Sequence, residues 1–170
     1  MAFVKGKTKS PNDNVYTPVE IAKAIIDKMP LKDGDIVLDA SAGKNVFYDN
    51  YPDYVVKDRC EIDDNIDFFA YNKKVDWIIT NPPYSKYKEW MKHSYEIADN
   101  IVYLIPMSKL VSSWGRIKDI ASYGGVKYIY ILPAGKCGFP FGFPACAVWI
   151  QRDYKGLIQV ELYDTTESEE

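Results

Sequence analysis

At 170 residues, with 47% apolar and 26% charged residues, the chain has the size and composition of one ordinary globular domain. No stretch approaches the length of a membrane span, the start Met1-Ala2-Phe3-Val4-Lys5-Gly6-Lys7 lacks the apolar core of a signal peptide, and three cysteines fit neither a zinc site nor a disulfide framework. A net charge of −3 excludes a broadly basic surface for duplex nucleic acid, while leaving local clusters at Lys5, Lys7 and Lys9 and at Lys86, Lys88 and Lys92. The expectation is a cytoplasmic protein in a reducing setting, with no membrane and no metal, and with Cys60 and Cys146 acting as small buried hydrophobes.

Residues 1–14 are polar and expected to be flexible, residues 15–163 to form a single domain, and residues 164–170 to form an acidic flexible tail. Thr17-Pro18 opens a helix, with threonine as N-cap and proline at the first helical position, running to about Met29. Ile36-Val37-Leu38-Asp39 is a buried strand ending on a carboxylate, followed by the loop Ala40-Ser41-Ala42-Gly43 and a short helix to Asn50. A second strand ends near Cys60-Glu61-Ile62. Asp67-Phe68-Phe69 then comes too soon for a full crossover helix.

Val75-Asp76-Trp77-Ile78-Ile79-Thr80 is a buried strand leading into Asn81-Pro82-Pro83-Tyr84. A helix from about Tyr87 to Ala98, a strand Ile101 to Ile105 and a helix from about Ser108 to Ala121 follow. Strands at Val126 to Leu132 and Ala145 to Ile150 flank the turn-rich stretch Pro133 to Pro144, and Leu157 to Tyr163 can add an edge strand. Apolar strands alternating with helices predict an α/β sandwich with a mainly parallel sheet and helices on both faces.

The chemistry concentrates at Asn81-Pro82-Pro83-Tyr84. Two prolines without N–H groups hold the chain extended, so the Asn81 side-chain oxygen and the Asn81 and Pro82 carbonyls form a rigid row of acceptors beside a flat ring. An exocyclic amino group is a poor nucleophile because its lone pair is delocalised. Acceptors gripping its N–H bonds from outside the plane favour the tetrahedral form of a transition state, and an aromatic face orients a planar substrate. An ordinary Asn-Pro turn is the competing reading of the same four residues.

In a parallel sheet, ligands bind at the carboxyl ends of strands near the switch in strand order. The Asp39–Gly43 loop ends one strand, and Glu61 ends the next at the spacing of an acid that grips ribose hydroxyls. Asp67 and Phe68 can flank an adenine. For each acid a cap or turn carboxylate is the alternative.

Taken in order, these stretches resemble the class I S-adenosylmethionine-dependent amino-methyltransferases, especially the adenine-N6 enzymes, over roughly Tyr16 to Ile150. Tyr16-Thr17-Pro18 looks like their N-terminal cofactor segment, Asp39-Ala40-Ser41-Ala42-Gly43 like the glycine loop, Glu61-Ile62 like the ribose contact and Asp67-Phe68 like the adenine pair. Asn81-Pro82-Pro83-Tyr84 matches the catalytic motif, and Phe139, Phe141 and Phe143 are placed like the segment that packs on a flipped base.

The resemblance implies a Rossmann-like methyltransferase fold, S-adenosylmethionine as cofactor and an amino nitrogen, adenine N6 of DNA or RNA, as target. Asn45 stands where the family loop has a second glycine, and its side chain is expected to crowd the cofactor. No room remains for a target-recognition domain, so the expectation is that the chain uses loops, a protein partner, or a small or single-stranded substrate. A glutamine side chain in a protein is the rival target, and a methyltransferase fold kept as a binding module is the rival to an enzyme.

Overall fold

The computed structural model describes residues 15–164. The expected N-terminal segment, and the expected tail apart from Asp164, lie outside the described residues. Among these residues seven strands form one sheet in the order β2-β1-β3-β4-β6-β5-β7. They are β1 (Ile36–Asp39), β2 (Val56–Arg59), β3 (Val75–Thr80), β4 (Ala98–Pro106), β5 (Gly124–Leu132), β6 (Ala145–Arg152) and β7 (Gln159–Leu162). The helices are α1 (Val19–Asp27), α2 (Val46–Asn50), α3 (Tyr87–Ile97), α4 (Met107–Val111) and α5 (Trp114–Tyr123). Strand β1 pairs in parallel with β2 on one side and β3 on the other, β3 pairs in parallel with β4, and β7 in parallel with β5. Only β6, between β4 and β5, runs antiparallel to its neighbours.

The alternation of side chains along the central strands builds two cores. Val37, Trp77, Ile79, Val102 and Leu104 face α1 and α2, while Leu38, Ile78, Ile101, Tyr103 and Ile105 face α3, α4 and α5. Burial on both faces explains why these strands are almost uninterrupted runs of apolar residues. The chain leaves β1, makes β2 at one flank, and then crosses to β3 at the other. That crossing makes the carboxyl ends of β1 and β3 the switch point of the sheet.

Three elements depart from the sequence expectation. Helix α1 starts at Val19, because Pro18 keeps an extended ψ of 147° and accepts only through its carbonyl, from the Ala22 N–H at 3.1 Å. The Thr17 hydroxyl therefore caps no helix; it accepts from the Asn81 side-chain amide at 3.1 Å. The expected single helix from Ser108 to Ala121 is broken into α4 and α5 at Ser112-Ser113. Here the Ser113 hydroxyl accepts from the Arg116 N–H at 3.2 Å and caps a new helix, as serine does when it competes with the backbone ladder.

Strand β2 stops at Arg59, before Cys60-Glu61-Ile62, and the chain continues through 3₁₀ turns at Ile62–Asp64 and Phe68–Ala70. Cys60, Cys137 and Cys146 are buried, and burial pushes each thiol up to about 12. No helix among the described residues is long and apolar enough to cross a membrane.

Leu104 is 1% exposed in the centre of the sheet, whereas Ser113 acts through one exposed cap. Leu104→Ala should cost about 2–5 kcal/mol, and Ser113→Ala about 1 kcal/mol. Urea denaturation midpoints measure both, and equal losses would contradict this placing of the core.

Candidate functional site

The loop after β1 is organised by a carboxylate. Asp39 is fully buried, and its Oδ1 accepts from the Thr80 hydroxyl at 2.7 Å and the Ser41 N–H at 3.3 Å. Its Oδ2 accepts from the Tyr48 N–H at 3.3 Å. Burial pushes this acid up to about 7, although the bonds from Thr80, Ser41 and Tyr48 pull the other way. The Ala42 N–H then donates to the Cys60 carbonyl at 2.9 Å, and the Gly43 N–H to Glu61 Oε2 at 2.6 Å, so the loop is strapped to the end of β2.

Gly43 and Asn45 both have positive φ, 52° and 63°. Glycine accepts that backbone without strain, and asparagine tolerates it better than most residues. The Asn45 side chain does not crowd the cleft, contrary to expectation. Its Oδ1 accepts from Arg59 Nη1 at 3.2 Å, which turns the amide toward β2.

At the end of β3 the Asn81 amide is held from both sides. Its Nδ2 donates to the Thr17 hydroxyl at 3.1 Å and reaches the Val15 carbonyl at 3.4 Å, while its Oδ1 accepts from the Tyr84 hydroxyl at 2.7 Å. A backbone carbonyl can only accept, so Val15 excludes the flipped amide. The Tyr84 hydroxyl has a second acceptor in the Leu104 carbonyl at 3.3 Å. Its ring meets Phe139 edge-on with centroids 5.6 Å apart, and Phe139, Phe141 and Phe143 continue as a stacked row.

A cleft, partly open to solvent, lies at the carboxyl ends of β1 and β3. Of the residues marked in the sequence, Tyr16 and Thr17 line it from the N-terminal segment and Ala40, Ser41 and Gly43 from the loop. Glu61, Ile62, Asp67 and Phe68 line it from the stretch after β2, and Asn81 and Pro83 from the end of β3. Pro18, Asp39, Pro82, Tyr84 and the three phenylalanines do not line it.

Both acids that reach the cleft also serve as turn caps: Glu61 accepts from the Asp63 N–H and Asp67 from the Phe69 N–H. Phe68 stacks on Trp90 at 4.4 Å and is built into the wall. Lys86 and Trp90 line the cleft too, as does Lys44, whose ammonium lies 4.3 Å from the Tyr16 ring centroid. Lys86 precedes the first residue of α3 and Trp90 lies in its first turns, so the start of this helix borders the cleft.

His93 packs edge-on against Phe68 and bonds the Tyr71 carbonyl. Among the described residues no group of three or more His, Cys, Asp or Glu is placed to hold a metal.

No family model and no curated protein matches the sequence. Solved structures do match in three dimensions. A Listeria monocytogenes protein assigned to the class I S-adenosylmethionine-dependent methyltransferases superposes with a TM-score of 0.68 at 13% identity, over 92% of this chain and 68% of that one. The methyltransferase subunit of a type I restriction-modification system from Streptococcus thermophilus gives 0.63 at 16% identity, over 85% of this chain and 46% of its own length. The 23S rRNA methyltransferase ErmE gives 0.63 at 12% identity, over 85% of this chain and 72% of that one. The chain has the Rossmann-like fold of the class I methyltransferases, a mainly parallel sheet with helices on both faces.

The buried Asp39 gives the fold a pH signature. Folding raises this acid from an ordinary 3.8 to about 7. Between those values the folded state holds a proton that the unfolded chain has released, so stability falls as pH rises, by at most about 1.4 kcal/mol per unit. Asp39→Asn cannot titrate. Chemical denaturation of both proteins from pH 4 to pH 8 should show wild type losing stability relative to the variant up to about pH 7 and levelling beyond, whereas a pH-independent difference would remove Asp39 as the cause.

Proposed function

We propose that this chain transfers a methyl group from S-adenosylmethionine to an exocyclic amino nitrogen, with adenine N6 of DNA or RNA as the favoured target. The observation that carries the reading is the fixed amide of Asn81, held by Thr17 and Val15 so that Oδ1 is the atom presented beside Tyr84. An amide locked in one orientation at the switch point of a parallel sheet is a preorganised acceptor. An ordinary turn asparagine has no need of two partners drawn from a segment more than sixty residues away.

The cleft fits the cofactor by the chemistry of its walls. Gly43 brings backbone against the cleft where a Cβ would meet the Tyr16 ring at 3.5 Å. Glu61 and Asp67 offer carboxylates to hydroxyl and amino groups, and Ile62, Ile66 and Phe68 offer an apolar slot for a purine. When bound there, S-adenosylmethionine supplies an electrophilic methyl group.

The chain's own residues do the rest. Asn81 Oδ1 and the Pro82 carbonyl accept the two N–H bonds of the target, which draws its nitrogen lone pair out of conjugation. The Tyr84 hydroxyl can yield Oδ1 because the Leu104 carbonyl is within reach, so no polar group is stranded when the target arrives. The Tyr84 ring then lies against the planar target, with Phe139 steadying it from the edge. As the N–CH₃ bond forms, the nitrogen becomes a strong acid and releases one proton to solvent, so no separate base is required.

The neighbours named as methyltransferases of a restriction-modification system and of 23S rRNA support nucleic acid as the target class. A glutamine amide in a protein is the second reading, favoured by the net charge of −3. The turn of Asn45 toward Arg59 weighs against a fold kept only as a binding module, because it leaves the cofactor side of the loop open. A protein partner would supply duplex target recognition.

Asn81→Ala should lower turnover by roughly 10²–10³-fold or more, while calorimetric titration with S-adenosylmethionine gives a nearly unchanged Kd. Wild-type methylation of nucleic acid or protein fractions by this variant would end the proposal. Tyr84 separates into ring and hydroxyl: Tyr84→Phe should keep most of kcat, and Tyr84→Ala should lose roughly tenfold or more with the stacking face. Equal losses in both variants, measured with labelled cofactor, would assign the role to the hydroxyl and contradict this use of the ring.

A further inference from the structure

In Gly138-Phe139-Pro140-Phe141-Gly142-Phe143-Pro144, phenylalanine recurs at every second position. The rings do not scatter into the core. Tyr84 meets Phe139, Phe139 stacks on Phe141 at 5.0 Å and 25°, and Phe141 stacks on Phe143 at 4.0 Å and 6°. The row begins buried beside Asn81 and ends in solvent, where Phe143 is 49% exposed and belongs to neither hydrophobic core. An aromatic ring held in a parallel stack but left open on its outer side adds little to folding. It does add a flat face.

Beside that outer end runs a groove between Phe141, Phe143 and Pro144 on one wall and Ile131, Leu162 and Tyr163, from the ends of β5 and β7, on the other. None of its lining residues is charged. Gly135 and Gly142 lie along it, and a Cβ on either would meet nothing within 4 Å, so neither side chain nor backbone obstructs a flat ligand there. At the rim the Lys136 ammonium sits 5.4 Å from the centroid of the Tyr163 ring. The groove thus combines apolar slabs, a stacking face and one cation at the edge. It is continuous with the proposed target site through an unbroken row of rings.

We infer that this groove holds the nucleobase next to the methylated one in an unpaired nucleic acid strand, with Phe143 stacking on the base and Lys136 meeting a phosphate. The inference rests on the proposed amino-methyltransferase reading and names its substrate class as single-stranded or locally unpaired nucleic acid. Bases in a duplex are covered on both faces by their neighbours and cannot offer one to Phe143. An unpaired strand offers every base face, which is how stacking platforms bind without reading sequence. The chain can then select its substrate without a separate domain for reading the major groove, because strandedness is what the groove detects.

Fluorescence anisotropy with the full chain and a labelled 12-nucleotide adenine-containing DNA strand, alone or annealed to its complement, tests this. The wild type should bind the single strand more tightly than the duplex. Phe143→Ala should weaken single-strand binding by roughly tenfold, the loss of one stacked base, and Lys136→Gln should reduce the salt dependence of log Kd by roughly 0.7. Both variants should keep the wild-type Kd for S-adenosylmethionine, which shows that they fold. No binding of the single strand by wild type, or binding indifferent to Phe143, would overturn the groove assignment. So would a change confined to oligomeric state, which would make the groove a protein interface. Strand binding that responds to Phe143 without any methylation would sink the enzymatic reading and spare the groove, whereas methylation of duplex with Phe143 irrelevant would do the reverse.

Discussion

The carboxylate of Asp39 takes the Thr80 hydroxyl of β3, the Ser41 N–H of its own loop and the Tyr48 N–H of α2, and so ties its own loop and α2 to the end of a strand 41 residues away. Asn81 follows Thr80 directly, so the bond that welds the ends of β1 and β3 also sets where Asn81 begins. A buried acid is a costly way to make such a weld, since burial opposes its charge and the surrounding bonds recover only part of that cost. What it provides is rigidity where the sheet splits. At a switch point the two strands diverge in connectivity, and no continuous helix is available to hold their ends together.

The other wall depends on this weld at one remove. Residues 15–18 form no regular structure, yet they are held against the loop, the motif and the Gly138 turn. The Tyr16 ring lies over Gly43, Thr17 and Val15 take the Asn81 amide, and Gly138 comes within 3.1 Å of the Tyr16 carbonyl at its Cβ position. A side chain there would press on backbone, and the left-handed φ of 78° already favours glycine. The aromatic row that starts at Phe139 is therefore anchored by the same turn that anchors the N-terminal strap. The Tyr16 wall of the cleft and the aromatic row share one hinge of packing, with Asn81 at its centre.

Much of this could be read from the residues. Ile36–Asp39 and Val75–Thr80 are apolar runs bounded by a carboxylate loop and by two prolines, and such local signals survive any tertiary context. The positive φ at Asn45 was also legible, because asparagine in a glycine's place has few other backbone reasons to be there. What could not be read is which partner a short polar side chain chooses. Thr17 has the sequence of a helix cap, but its hydroxyl meets Asn81, 64 residues away, and only the assembled sheet brings that amide within reach. Asp39 has the sequence of a cleft carboxylate, but Thr80 captures it, because parallel register places the ends of β1 and β3 side by side. The break at Ser112-Ser113 was hidden for a different reason, since both halves keep an apolar face and periodicity alone joins them.

The short path between β2 and β3 shapes the rest. Two 3₁₀ turns replace a full helix there, and Phe68 supplies the buried bulk that a helix would have brought, stacked on Trp90 of α3 and 3% exposed. One consequence is that β2 remains an edge. It is blunted by Lys57, Asp58 and Arg59, whose charges are engaged with Tyr48, Tyr71, Lys73 and Asp64. Charged edges of this kind resist pairing with another chain. The opposite edge, β7, follows the other policy: Glu161 is tied to Lys28 and Tyr128 on one face, while Val160 and Leu162 are exposed on the other. One edge is closed by charge and the other kept apolar, and the apolar edge borders the row of phenylalanines. The β7 edge thus ends beside the flank to which the aromatic row leads from Asn81.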